Sequence, residues 1–187
     1  MFKREYFKLV DGYPKDADLI RYWDLAATEA VPGTDPDWTA GVKVAYKDGI
    51  YYIVDVVHIR TDPGNVQKVL LTTVQLDGIK TKIYIEQEPG SAGVSVIQMY
   101  SHLLRGYSLW RNKPTGDKVT RAQPLAAAFA NGNVRIVKGT WNEAFINELL
   151  TFPSEKNKLH DDQVDAASGA YLMFTETPKL QAVKSLY

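Results

Sequence analysis

Cysteine is absent from the 187-residue sequence, which also holds only three histidines. Disulfide bonds, thiolate nucleophiles and cysteine metal ligands are therefore excluded, and this composition agrees with a reducing compartment. Any metal ion bound by the chain has to use the oxygen atoms of carboxylates or the nitrogen atoms of histidine.

Long hydrophobic runs are missing as well. Charged residues interrupt the longest apolar runs within about ten residues, whereas a helix that spans a bilayer needs about twenty. The first ten residues, MFKREYFKLV, also lack the apolar core of a signal peptide. We therefore expect no membrane segment and a protein that works in the cytosol.

Neither charge sign is in excess, because 22 basic residues balance 22 acidic ones. A neutral total neither supports nor excludes a nucleic-acid partner, since a basic groove can coexist with an acidic site. The length suffices for one domain with a proper core, and an apolar fraction of 45% suits a soluble α/β protein.

The first third of the chain predicts three strands. The segment LIRYWDLA (19–26) has the composition of a strand, and AGVKVAYK (40–47) and IYYIVDVVHIR (50–60) lie on either side of Asp48-Gly49. Asp-Gly between two apolar segments is a strong signal for a two-residue hairpin turn. The second and third strands should therefore pair antiparallel.

Helices and strands alternate from residue 64 onward. Period-2 segments predict strands at 81–87, 107–112 and 133–138. Apolar residues at helical spacing predict helices at 64–76, 92–104, 117–132, 142–152 and within 159–174. Ser91 is the expected cap of the second helix, and a capping box from Thr140 to Glu143 is expected to open the fourth. The third helix should break before Pro124. Such alternation after an antiparallel start predicts an α/β fold, with a mixed central sheet flanked by helices on both faces.

Two carboxylates lie in predicted strands. Strand alternation places Glu86 on the face opposite Ile83 and Ile85, at the end of its strand. Asp24 lies in a strongly apolar strand, where burial of an unpaired carboxylate is costly. Asp24 therefore needs a cation or hydrogen-bond donors, and an ion pair with nearby Arg21 is one way to supply them.

Three more carboxylates open the closing helix. Asp161 and Asp165 are four residues apart and Asp162 and Asp165 three apart, so the three crowd one side of a helix. Attraction to the helix N-terminus, about 0.3–1 kcal/mol each, explains one or two of them and leaves the third unexplained. Helix capping on a solvated surface remains one interpretation of this run, and a metal site is the other.

Carboxylates at the ends of three separate elements are typical of sites for hard divalent cations. Mg²⁺ prefers oxygen ligands, and two such ions on shared carboxylates can support hydrolysis of a phosphodiester bond. Whether the three segments converge depends on the tertiary structure.

Five segments, in this order, resemble the C-terminal nuclease domain of the large terminase subunit of tailed bacteriophages. They are RYWDLAATE (21–29), DWTAGVKV (37–44), IYIEQEPGSAG (83–93), DKVTRAQPLAAAFANGNVRIV (117–137) and LHDDQVDAASGA (159–170). The resemblance covers nearly the whole chain and rests on the ordered set rather than on any single motif. It implies an RNase H-like fold, with antiparallel first strands and parallel later ones. It also implies a divalent-metal-dependent endonuclease that uses Mg²⁺ or Mn²⁺ to cut concatemeric double-stranded viral DNA during packaging.

The same resemblance implies roles for individual residues. Asp24, Glu86 and Asp162 correspond to the catalytic, metal-binding carboxylates, with Asp165 as a second ligand on the closing helix and Asp161 as an alternative to Asp162. Asp37 resembles an auxiliary acidic position of the family. His160 has two interpretations, one in which it orients a water or ligand in the site and one in which its role is structural.

Basic residues near these carboxylates are candidates for contacts to DNA phosphates, which give affinity without sequence preference. An ordinary solvated face is the alternative for each of them. The candidates are Lys113, Lys118, Arg121, Lys156 and Lys158.

The resemblance also predicts the domain organisation. Residues 1–18 are expected to be a lead-in from an N-terminal ATPase domain, 19–177 the nuclease domain and 178–187 a loose tail. The chain has no G-x-x-x-x-G-K-[ST] phosphate loop, so no ATPase activity is expected. The expected partners are double-stranded DNA, the ATPase domain, the small terminase subunit and the portal protein. The expected location is the cytoplasm of an infected bacterial host.

Two other functions are compatible with these residues. A Holliday-junction resolvase or an RNase H-type nuclease of the same fold would use the same carboxylates on a different substrate. A non-catalytic docking module of the packaging motor would use the acidic cluster to bind a basic partner.

Overall fold

The computed structural model describes residues 1–26, 38–153 and 160–175. The strands in these ranges are β1 (Lys8–Val10), β2 (Asp18–Asp24), β3 (Thr39–Lys47), β4 (Ile50–Ile59), β5 (Lys82–Glu86), β6 (Leu109–Asn112) and β7 (Val134–Val137). The α-helices are α1 (Pro63–Asp77), α2 (Gly90–Leu103), α3 (Lys118–Ala130), α4 (Asn142–Thr151) and α5 (Asp162–Thr175).

The turn at Asp48-Gly49 is a two-residue hairpin turn. Both residues have positive φ, 49° and 80°, as a two-residue hairpin turn of type I′ requires. It joins β3 and β4, whose antiparallel pairing starts with Lys47 opposite Ile50. The predicted hairpin is confirmed.

The strands form one mixed sheet in the order β1-β7-β4-β3-β2-β5-β6. The pairs β2–β3 and β3–β4 are antiparallel, whereas β2–β5, β5–β6, β4–β7 and β1–β7 are parallel. The predicted mixed sheet, antiparallel first and then parallel, is therefore confirmed. Among the strands of the described ranges, the short β1 alone is not predicted, because three residues are too few to show an alternation.

Helices cover both faces of the sheet, as predicted. Along β2, Ile20 and Tyr22 face one hydrophobic core together with α3, α4 and α5, whereas Trp23 faces a second core with α1 and α2. No helix in the described part of the chain is long and apolar enough to cross a membrane.

Two helix predictions are wrong in detail. Helix α3 continues through Pro124 without a break. The proline removes one backbone hydrogen bond, the one to the carbonyl of exposed Thr120. Burial of Leu125 and Phe129 beyond the proline compensates for this loss. The capping box at Thr140 does not form. Instead, the amide of Asn142 bonds the backbone of Gly139 and Val137.

The predicted cap of α2 is also wrong. This helix already begins at Gly90, after Pro89, and no side chain caps it, so Ser91 lies inside the first turn.

Glycine at position 169 allows α5 to lie close to the sheet. A Cβ added there would come within 2.4 Å of the ring of Tyr22, which is fully buried on β2. Because Tyr22 lies two residues before Asp24, this close approach brings the first turn of α5 towards the end of β2.

We predict that Gly169→Ala lowers the free energy of unfolding by about 1–3 kcal/mol, because the added methyl group overpacks a buried ring. This loss should exceed the helix propensity that alanine gains, about 1 kcal/mol. Chemical denaturation measures the change. As a control, Gly12→Ala adds a methyl group with no atom within 4 Å and should change stability by at most about 0.5 kcal/mol. Equal stability of the two variants would contradict the close approach.

Candidate active site

Asp24 and Glu86 end two neighbouring parallel strands. Trp23 of β2 pairs with Ile85 of β5, so the two carboxylates follow at the next register position, at the same edge of the sheet. Both point to the face that carries Tyr22 and Tyr84, as strand alternation predicts for Glu86.

Helix α5 adds two more carboxylates from above this edge. Asp162 and Asp165 lie in its first turn, with only 9% and 4% of their surface exposed. Both carboxylates act electrostatically on Asp24, so the three predicted segments converge in the folded chain.

Burial and mutual repulsion oppose ionisation of these groups. Loss of water raises the pKa of Asp24 well above its usual range, and the charges of Glu86, Asp165 and Asp162 raise it further. Burial also raises the pKa of Glu86 and Asp165, and it raises the pKa of Asp162 to about 6. Such a cluster needs positive charge to remain ionised at neutral pH.

Two basic residues of α3 provide part of that charge. The Lys118 Nζ atom lies 2.6 Å from Asp161 Oδ1 and 2.9 Å from Asp165 Oδ2. Arg121, one turn later, lies 3.1 Å from Asp165 Oδ1 and 3.7 Å from Glu86 Oε2. The sequence predicts both as contacts to DNA, and in the structure both lie against the carboxylates.

Asp161 and Asp162 differ in their surroundings. Asp161 is at the rim, where its side chain pairs with Lys118 and its carbonyl accepts the first helical hydrogen bond from Asp165. Asp162 is buried, and its Oδ2 atom has no hydrogen-bond partner. The Nδ1 atom of His160 lies 3.7 Å from that oxygen.

In the described ranges, no three histidine, aspartate or glutamate side chains are arranged so that they could hold one metal ion together. Lys118 and Arg121 bridge the carboxylates instead. The donor set nevertheless has the chemistry that Mg²⁺ and Mn²⁺ require, since it consists of carboxylate oxygens and includes a buried one without a partner.

Glu86 is held by a short chain of hydrogen bonds that the sequence did not predict. Asn112 at the end of β6 donates to the Tyr22 hydroxyl at 2.8 Å, and this hydroxyl donates to Glu86 Oε2 at 3.2 Å. The position of Asn112 at the end of a strand is a usable signal, because parallel strands β2, β5 and β6 end at the same edge.

Glu148 of α4 fixes the start of α5. Its Oε1 atom accepts hydrogen bonds from the backbone N–H groups of Gln163 and Val164 at 2.7 and 3.0 Å, and its Oε2 atom accepts one from the Gln163 side chain. These N–H groups lie in the first turn of α5 and have no partner within the helix. No sequence pattern indicates this cap, because it comes from another helix.

Arg21 lies on the other side of the sheet. Its guanidinium group donates to Asp77 at 2.7 and 2.9 Å and to Asp55 at 2.7 Å. The ion pair with Asp24 that the sequence left open is therefore wrong, since residues 21 and 24 point to opposite faces of β2.

The remaining predicted residues are placed as follows. Lys113 is exposed in the segment after β6, and the ring of His160 lies edge-on to Trp38 with centroids 6.2 Å apart. Asp37, Lys156 and Lys158 lie outside the described residues.

We predict that Glu148→Ala lowers the free energy of unfolding by about 2–4 kcal/mol, because it leaves two buried N–H groups without an acceptor. Glu148→Gln, which keeps one acceptor oxygen, should cost less. Denaturant titrations of both variants measure the difference, and an equal loss would contradict the capping role.

The stability difference between wild type and Glu148→Gln should depend on pH. Burial raises the pKa of Glu148 to about 7, so the folded state holds a proton that the unfolded state releases at lower pH. Wild-type stability should therefore fall relative to Glu148→Gln as the pH rises from about 4.5 to about 7. A constant difference over this range would contradict the shift.

The family model for the terminase RNaseH-like domain matches residues 21–174. No curated protein sequence matches the chain. Among solved structures, the human cytomegalovirus terminase nuclease domain has a TM-score of 0.67 at 12% identity, over 92% of this chain and 95% of that chain.

Two phage structures are also similar. The large terminase nuclease of thermophilic phage G20c with bound magnesium has a TM-score of 0.63 at 14% identity, over 89% of this chain and 93% of that chain. The large terminase of a second thermophilic bacteriophage, in complex with ADP, has a TM-score of 0.65 at 16% identity, over 93% of this chain and 43% of that chain. The shared fold and the match over most of the sequence confirm the resemblance, and the chain belongs to the terminase RNaseH-like domain family.

Proposed function

We propose that this chain is a divalent-metal-dependent endonuclease that cuts double-stranded DNA during viral genome packaging. The observation that carries the proposal is the convergence of Asp24, Glu86, Asp162 and Asp165 from three separate elements, with an unpartnered oxygen on buried Asp162. Such crowding of like charges is unfavourable for folding and is typical of sites that bind a cation.

Asp24, Glu86 and Asp162 are the proposed principal ligands, with Asp165 and Asp161 completing the set. One or two Mg²⁺ or Mn²⁺ ions bound there would supply Lewis-acid activation of water and of the departing 3′ oxygen. Tyr22 orients Glu86 through its hydroxyl, and Glu148 holds the turn that carries Asp162 and Asp165. The carboxylates thus act as ligands whose positions are fixed by hydrogen bonds to neighbouring elements.

Positive charge around the carboxylates supports DNA as the substrate. Lys118 is half-exposed at the mouth of the site, and Lys113 is exposed in the segment before it. Lys156 and Lys158, outside the described residues, remain predicted phosphate contacts. Contacts of this kind bind the DNA backbone without reading bases, so we propose little sequence preference.

Two similar structures support the proposed cofactor. The phage G20c nuclease has been solved with bound magnesium and the human cytomegalovirus nuclease domain after soaking in manganese. Because this chain spans less than half of the phage large terminase that was solved with ADP, we also propose an ATPase domain as its partner. The small terminase subunit and the portal protein are further proposed partners, in the cytoplasm of an infected bacterial host.

Substrate comparison separates this proposal from its alternatives. A terminase nuclease should cut linear and supercoiled duplex DNA, whereas a junction resolvase or an RNase H should cut four-way junctions or RNA–DNA hybrids far faster. A docking module should cut none of these in the presence of metal, and its binding to a basic partner should weaken with salt.

We predict that Asp24→Asn and Asp162→Asn each reduce nicking of supercoiled plasmid in Mn²⁺ by about 100-fold or more, because each removes a carboxylate that would hold the metal ion, and the metal ion would stabilise transition-state charge. Agarose gels with an EDTA control measure the rate. Asp11→Asn, at a side chain that is 92% exposed, is the matched control and should cut like wild type. Wild-type rates in both site variants would refute the ligand assignment.

Asp24→Asn should also raise the thermal unfolding midpoint by a few degrees in EDTA at pH 8, since it removes a charge that burial and neighbouring carboxylates disfavour. The raised pKa of Asp24 means that this gain should shrink as the pH falls towards about 4, below which the wild-type side chain is protonated in both states. Differential scanning fluorimetry across this range checks the sign. A gain that does not vary with pH would contradict the electrostatic cause.

A further inference from the structure

Lys118 occupies a position between the site and solvent. It is the first residue of α3, directly after Asp117, which caps the helix through the backbone N–H of Thr120 at 2.9 Å. Its ammonium group contacts one carboxylate at the rim, Asp161, and one inside the site, Asp165. One cationic side chain thus joins two predicted metal ligands.

Arg121 lies in the same cluster, but its side chain is less free to move than that of Lys118. Only 13% of its side chain is exposed, against 52% for Lys118, and it lies between Glu86 and Asp165. An arginine fork held between two carboxylates and largely shielded from solvent remains in place, whereas an ammonium group on a flexible four-carbon stem can move to a new partner at little cost. Lys118 is therefore the mobile positive charge of the pair.

The charges of the site are incompletely balanced. Five carboxylates, those of Asp24, Glu86, Asp161, Asp162 and Asp165, face the two cations of α3. A divalent ion that uses Asp165 has to approach oxygens that already hold an ammonium group, and two cations repel each other at such short range.

We propose that Lys118 is an internal counterion that a divalent metal ion displaces from Asp165 and Asp161, and that the released ammonium group then binds a DNA phosphate. This inference rests on the proposed function, since it assumes that the carboxylates bind metal. It assigns Lys118 two successive partners, a carboxylate pair before metal binding and the substrate afterwards.

A thermodynamic coupling follows from this exchange. Without DNA, the metal ion has to break the contacts of Lys118, which weakens metal binding. With DNA, the displaced ammonium group gains a phosphate partner, so DNA strengthens metal binding and metal strengthens DNA binding by the same factor. Cleavage chemistry would thus be assembled preferentially when both are present.

Metal binding without DNA tests the first half of the proposal. Electron paramagnetic resonance titrations of Mn²⁺ should show about 5–10-fold tighter binding to Lys118→Met and Lys118→Gln than to wild type, a typical size for such coupling. Lys118→Arg keeps the charge and should bind Mn²⁺ no more tightly than wild type. Lys68→Met, at an exposed lysine of α1, is the matched control and should leave the affinity unchanged.

DNA binding tests the second half. Fluorescence anisotropy with a short duplex, in Ca²⁺ against EDTA, should show a larger gain in affinity from the cation for wild type than for Lys118→Met. Two neutral variants guard against a folding defect in one of them, and circular dichroism confirms the fold of each.

The outcomes separate the two proposals. Mn²⁺ binding that depends on Asp162 and is equal or weaker in both folded neutral variants would overturn the role of Lys118 and leave the metal site intact. Absence of Asp162-dependent Mn²⁺ binding in wild type and in both neutral variants would overturn the metal site itself, and the role of Lys118 with it.

Discussion

The structure depends on the cost of bringing carboxylates together away from water. Asp24 and Glu86 are fixed side by side by the parallel pairing of β2 and β5, and α5 adds Asp162 and Asp165 above them. The fold tolerates this charge because the cations of α3 lie against it, Arg121 inside and Lys118 at the rim. Repulsion between the carboxylates lowers the stability of the fold, so a cation that binds there and relieves the repulsion stabilises the folded state.

The two faces of β2 carry two different charge networks, one balanced and one in the proposed site. On one face, Arg21 is buried and fully engaged by Asp77 and Asp55, and Lys43 also pairs with Asp77 at 2.9 Å. On the other face, the carboxylates outnumber their cationic partners. A balanced buried network has no capacity for a ligand, whereas an unbalanced one at a sheet edge favours binding of positive charge.

Hydrogen bonds from neighbouring elements hold the ligands of the proposed site. Asn112 and Tyr22 orient Glu86, Glu148 fixes the first turn of α5, and Gly169 sets the distance of that helix from the sheet. The supports come from β2, β6, α4 and the middle of α5, so several parts of the fold determine the geometry at one point. A site of this kind requires the assembled domain and cannot be built by one motif.

Local patterns in the sequence determined much of the architecture. The Asp48-Gly49 turn, the alternation that faces Glu86 away from Ile83, and the helical spacing of the later segments each depend on neighbours in the chain, so they were readable without a structure. The ordered motifs also indicated the family, and they predicted the carboxylates of the proposed site. The partners of those carboxylates were decided only by the tertiary structure, since Lys118 meets Asp161 across 43 residues and Glu148 caps α5 across 15. The same holds for Arg21, which pairs with Asp77, 56 residues away, and not with Asp24, three residues away. Sequence spacing decides which side chains share a face, and only the packing of distant elements decides which charges meet.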